Sequence, residues 1–130
     1  MTARLLGKGQ YGLADLKVGD RIALGSRKVG LAKIDAFAAL TGDRFAIHMQ
    51  DEAAQALGFA RRVAHGLLIL SLVDGMKSQA PAQFKAVASL EVTGLRPTSR
   101  ANRSIATLSL EVHVGSALRQ QGINQLMILP

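Results

Sequence analysis

The sequence predicts an α+β fold in which an antiparallel sheet wraps around a long, buried central helix. Three observations carry that expectation. "HGLLILSLVDGMKSQ" is apolar around most of a helical wheel, with Ser71, Asp74 and Ser78 on one narrow polar stripe. "FKAVASLEV" and "SIATLSLEVHV" both alternate apolar and polar residues, the pattern of half-buried strands. A helix so apolar has to be covered, and the strands that follow it supply the cover.

The remaining elements follow in chain order. "LKVGDRIALGSRKV" opens on a Gly-Asp turn and then reads as β-like. "LAKIDAFAALTG" predicts a short helix, because Leu31, Ile34, Phe37 and Leu40 recur at helical spacing and Gly42 stops it. "DEAAQALGF" predicts a second short helix, with Asp51 and Glu52 in its first turn and Gly58 ending it. In "FKAVASLEV" the residues Phe84, Ala86, Ala88, Leu90 and Val92 share one side. In "SIATLSLEVHV" Ala106, Leu108, Leu110, Val112 and Val114 do the same. "INQLMIL" is the expected last strand, reached through a turn near Gly115 or Gly122. Repeats, low-complexity tracts and linkers are absent from the sequence.

Composition narrows the function classes. A chain of 130 residues fits one domain over 1–130. With no cysteine, disulfides, cysteine-based zinc sites and a cysteine nucleophile are excluded, and three histidines without cysteine argue against a metal centre. The N-terminal "MTARLLGKGQYGLADL" carries charge and glycine where a secretory leader has an apolar core, and no apolar run reaches the ~18 residues of a membrane span. A soluble, cytoplasmic protein with no membrane partner is expected. The net charge of +7 favours an anionic partner. Lys and Arg are scattered, and one Tyr and four Phe form no stacking platform, so nucleic acid is not expected as that partner.

The chemistry concentrates in "TGDRFAIH", where Asp43 and His48 flank a single further ionisable group, Arg44. A pair of this kind can move a proton. It can also be ordinary turn chemistry, since Asp after Gly often caps a loop and His48 could be a satisfied half-buried histidine. The pair does not stand alone. "FAALTGDRFAIHMQDEAA", "RRVAHGLLILSLVDGM" and "VTGLRPTSRANRSIATLSLEV" together resemble the MaoC-like dehydratases and (R)-specific enoyl-CoA hydratases of the hot-dog fold. In that family the first piece reads Thr-Gly-Asp, Asn-Pro, His, and the second reads His-Gly before an apolar helix with a Ser six residues after the His. Here these positions are Asp43, His48, His65, Gly66 and Ser71.

The resemblance implies a hydro-lyase that adds water to a 2-enoyl-CoA or removes it from a 3-hydroxyacyl-CoA. Asp43 would be orienter or base and His48 its proton-transferring partner, gripping one water from the same side to give syn addition. It also implies that the backbone amide of Gly66 receives the thioester oxygen, where the start of a helix favours negative charge. Ser71 would bind the water or line the acyl pocket, or simply bond back to its own helix. His65 is expected to brace the helix start. Where the family has Asn-Pro this chain has Phe45-Ala46: the loss of proline frees the loop, and Phe45 adds an aromatic wall.

No cofactor is implied, since coenzyme A is part of the acyl-CoA substrate. The family pairs into homodimers or dimers of dimers with one continuous sheet, and Arg61, Arg62, Arg96 and Arg103 are candidates to meet the coenzyme A phosphates. Relative to the family a strand segment near Ser89–Leu90 is missing. Two alternatives stay open: a hot-dog thioesterase using a carboxylate on the central helix, for which Asp74 is the residue to test, and a non-catalytic acyl-CoA-binding domain. Asp74 otherwise reads as a solvated helix residue and His113 as a surface residue.

Overall fold

The computed structural model describes residues 4–90 and 104–128. The chain forms two compact units, one of Leu24–Gln79 and one joining Met1–Ala23 to Ala80–Pro130.

The first of these units is helical. Helix α1 (Leu31–Thr41) ends as its sequence predicts: Gly42 adopts φ 77° and its N–H closes on the Ala38 carbonyl at 2.8 Å, a left-handed cap that suits glycine. The buried face differs from the expected one. Ile34 and Ala38 are buried, whereas Leu31 and Leu40 are exposed. A spacing of three falls about 60° short of a full turn each time, so over three such steps Leu31 and Leu40 come to lie on opposite sides of the helix.

Two short helices follow. Helix α2 (Ala46–Met49) is not evident in the sequence, whereas α3 (Asp51–Gln55) starts on the expected acidic residues. Gly58 turns the chain after α3 with φ 89°.

Helix α4 (Gly66–Gln79) forms over the expected stretch, and Ser71, Asp74 and Ser78 are exposed as the polar stripe requires. The expectation of burial all round is corrected. Leu68 is buried, but Leu67 is 67% exposed, and Leu70 is exposed as well. Apolar character on every side therefore does not translate into cover on every side within one chain.

The other unit holds the strands. Strand β1 (Gly9–Tyr11) pairs in parallel with β2 (Ala82–Phe84). Strands β3 (Ala86–Leu90), β4 (Ser104–Val114) and β5 (Ala117–Ile128) form an antiparallel sheet with β5 between the other two. Strand β4 coincides with the alternating stretch, and Leu108, Leu110 and Val112 are half-buried between exposed Thr107, Ser109 and Glu111. The turn falls at Gly115-Ser116, with Gly115 at φ 59°, and β5 begins well before "INQLMIL". A shift of register between Ala86 and Ala88 breaks the strict alternation expected there, because two residues of β3 oppose one of β5.

The β-like reading of 16–29 is corrected. Apart from an isolated bridge between Arg21 and Leu5, this stretch is irregular. Asp20 explains part of it by closing a turn: its carboxylate accepts the Lys17 N–H at 2.8 Å and a two-armed contact from the Arg4 guanidinium at 2.9 and 2.5 Å. The hydrogen bond from Arg4 is the main reason that the Asp20 carboxyl is held down at about 2. The junction after Leu90, where a family strand is expected to be missing, lies outside the described residues.

Candidate active site

The Asp43–His48 loop is shaped by its own side chains. Thr41 donates its hydroxyl to the Phe37 carbonyl at 2.7 Å and accepts the Asp43 N–H at 3.2 Å. The Asp43 carboxylate accepts the Phe45 N–H at 3.3 Å through Oδ1. This is the turn chemistry that Asp after Gly favours, and it occupies one carboxylate oxygen. Phe45 then has φ −53° and ψ 135°, extended backbone leading into α2. The family proline corresponds to Ala46, the first residue of α2, where proline is a favoured residue and its missing N–H costs nothing. The loop therefore has a geometry that proline would also accept. Phe45 itself is 73% exposed.

His48 lies on α2, half-buried. Its Nδ1–H donates to the Val63 carbonyl at 2.7 Å, and the Val63 N–H donates to the Ile47 carbonyl at 3.0 Å. Because a carbonyl can only accept, this bond puts the proton of the neutral ring on Nδ1 and leaves a lone pair on Nε2.

His65 lies directly before α4 and is 2% exposed. Its Nε2–H donates to the Asp43 carbonyl at 2.9 Å. Its ring stacks on His48, with centroids 3.9 Å apart and 26° between planes, and meets the tilted ring of Phe37 at 4.9 Å. The His65 side chain thus makes three contacts, and its own carbonyl accepts the Ile69 N–H in the first turn of α4. Its Nδ1 is buried without a hydrogen-bond partner among the described residues.

Potential ligand atoms of Asp43, His48 and His65 all lie within 4.8 Å of one another, a cluster that could suggest a metal ion. The ring geometry argues against sharing one. An ion must lie in the plane of each imidazole about 2 Å from its nitrogen. Rings stacked at 3.9 Å and inclined by 26° have planes that meet well beyond that reach. The two imidazoles therefore do not fit a shared ion.

The other candidates divide. Gly66 is the first residue of α4, and among the described residues a Cβ built there would meet nothing within 4 Å beyond its chain neighbours and its own helix backbone. Ser71 is exposed and its hydroxyl donates back to the Leu67 carbonyl at 2.7 Å, the self-bonding alternative. Asp74 is 60% exposed and paired with Lys77 at 2.7 Å, the solvated reading rather than a carboxylate held for attack. His113 is at the surface beside Glu111. Among the arginines, Arg61 is exposed, Arg96 and Arg103 lie outside the described residues, and Arg62 is engaged inside the helical unit. That engagement was not legible from the sequence, because its partners are 14 and 27 residues away.

The MaoC like domain family matches residues 17–97, a span that contains the loop, both histidines and α4. The chain belongs to the MaoC-like domain family. The MaoC-like chain is also 32% identical over 127 residues to an (R)-specific enoyl-CoA hydratase of Aeromonas caviae, covering 82% of this chain and 91% of that protein. A solved structure titled a monoamine oxidase regulatory protein, from Archaeoglobus fulgius, matches with a TM-score of 0.71 at 22% identity, over 99% of this chain and 98% of that one. This second similarity speaks for the fold. No described helix is long and apolar enough to cross a membrane.

Proposed function

We propose that this MaoC-like protein is a hydro-lyase that adds water across the C2–C3 double bond of a 2-enoyl-CoA, or removes it from the 3-hydroxyacyl-CoA. The observation that carries the reading is the convergence of Asp43 and His48, whose polar atoms lie within 4.8 Å of each other and of His65. The similarity to a hydratase supports the same reaction class.

Each group has a distinct task. His48, with its proton tied to Val63, offers the Nε2 lone pair; Asp43, with Oδ1 engaged by Phe45, offers Oδ2. A water between them donates one hydrogen to each. One of its O–H bonds breaks as its oxygen bonds to C3, and the proton held by the pair returns to C2 on the same face. The catalyst ends as it began, and H and OH have added syn. Charge building on the thioester oxygen is met at the start of α4, where N–H groups and the helix dipole favour an anion and Gly66 leaves room for the oxygen.

The proposed arrangement is the hot-dog one, with homodimer formation covering apolar residues such as Leu67 and Leu70 that a single chain leaves exposed. Of the four arginines weighed for the coenzyme A phosphates, Arg61 is described and exposed and stays a candidate.

The test is loss of the enoyl-thioester absorbance of crotonyl-CoA, measured for the parent, Asp43→Ala and His48→Ala. Activity in the parent and losses of about a hundredfold or more in each variant are expected. A folded parent inactive on a panel of enoyl-CoAs would overturn the reading in favour of acyl-CoA binding without catalysis.

A further inference from the structure

Beyond Asp43 and His48, we infer that Arg62 is a positioning residue of this site, holding His48 through its backbone carbonyl, with Asp35 as its counter-ion. The inference rests on the hydratase reading for its kinetic consequences but on geometry for its placement.

Arg62 makes three contacts, each with a different element. Its Nε–H donates to the His48 carbonyl at 2.6 Å, its Nη2 is bonded and ion-paired to Asp35 on α1, and its backbone N–H donates to the Asp51 carboxylate at the start of α3 at 2.8 Å. Its side chain is only 13% exposed. The next residue, Val63, receives the His48 Nδ1–H. Residues 62 and 63 therefore grip His48 twice, the Val63 carbonyl holding its side chain and the Arg62 guanidinium its main-chain carbonyl.

The grip has a physical reason. Helix α2 is four residues long, too short to be stable by its own hydrogen bonds. The His48 carbonyl is at its C-terminal end, where carbonyls lack intrahelical partners and cations are favoured. A guanidinium supplies a charged donor for that carbonyl while its fork reaches Asp35, which an ammonium cannot reproduce in one geometry. Engaged in this way, Arg62 is not presented to a coenzyme A phosphate.

These two roles give opposite kinetics. Arg62→Lys and Arg62→Gln are measured with crotonyl-CoA and with crotonyl-pantetheine, which lacks the nucleotide phosphates. A positioning residue lowers kcat about tenfold or more on both thioesters, with KM within about twofold, and Asp35→Asn moves kcat in the same direction by less. Unchanged kcat, or a KM rise confined to the coenzyme A thioester, overturns the inference.

An activity-independent readout separates this from failure of the hydratase reading. The imidazole nitrogen resonances of His48 and His65 are recorded by NMR in the parent, both Arg62 variants and Asp35→Asn. Selective change at His48 with His65 preserved supports the placement even in a parent without hydratase activity. An unchanged His48 signal in any folded variant of Arg62 overturns it. If both Arg62 variants unfold, Asp35→Asn decides by the same two signals.

Discussion

The imidazole of His65 stacks on that of His48 at 3.9 Å while its Nε2–H holds the Asp43 carbonyl at 2.9 Å. One buried side chain thus touches both residues of the proposed proton-transfer pair. His65→Phe keeps a ring between Phe37 and His48 but deletes the bond to Asp43. It also removes the unpartnered Nδ1, so the loss of stability should be small, about 1 kcal/mol or less. Turnover should fall well beyond what that loss explains. Urea unfolding beside hydratase kinetics checks this, and equal turnover in parent and variant would show that the Asp43 anchor is dispensable.

Gly66→Ala should separate activity from stability. A methyl group there meets no described atom beyond its chain neighbours and its own helix backbone, and it replaces a poor helix former, so stability should hold or rise by up to about 1 kcal/mol. The same methyl occupies the space assigned to the thioester, so kcat/KM on crotonyl-CoA should drop at least tenfold. Retained activity would move the oxyanion site away from the start of α4.

Ala46→Pro should stabilise the protein. Ala46 is the first residue of α2 and Phe45 before it is already extended, the conformation that a residue preceding proline prefers. Restricting the unfolded chain there should add about 0.4–1 kcal/mol, read from the midpoint of chemical unfolding with an unchanged slope. A decrease would mean that the loop cannot accept proline after all.

Acid should weaken the Arg4–Asp20 contact in a defined window. The Asp20 carboxyl is held at about 2 against an ordinary 3.8, chiefly by the hydrogen bond from Arg4. A lowered folded pKa means that the unfolded chain takes up the proton first. The contribution is therefore present in full above about pH 4 and is lost as pH falls towards 2. Asp20→Asn should show a shallower decline of stability over that window than the parent, measured by unfolding at successive pH values. Identical slopes would show that Asp20 is not coupled to folding.

Much of this was legible in residue order. Gly42 after an apolar stretch marked the end of α1, Asp51 and Glu52 marked the start of α3, and the alternation in "SIATLSLEVHV" marked β4. These are local signals, decided by backbone conformation and period. The irregular path of 16–29 was not legible, because the Asp20–Arg4 contact joins residues far apart in the chain. Helix α2 escaped because four residues are too few to display a period. The face of α1 was misread because a repeated spacing of three drifts round the helix and carries Leu31 and Leu40 to opposite sides.

The site divides in the same way. The sequence by itself determined the chemical inventory: an aspartate and a histidine five positions apart, a His-Gly pair before an apolar stretch, and no cysteine. It also carried the motifs that mark the MaoC-like family. Only the tertiary structure decided which nitrogen of His48 holds the proton, that His65 joins Asp43 to His48, and that Arg62 faces inward to Asp35 and the His48 carbonyl. Residue types limit which protons and charges a chain can offer, but a hydrogen bond requires two groups to meet within about 3 Å at a workable angle. Between residues tens of positions apart, only the folded path of the chain sets that distance.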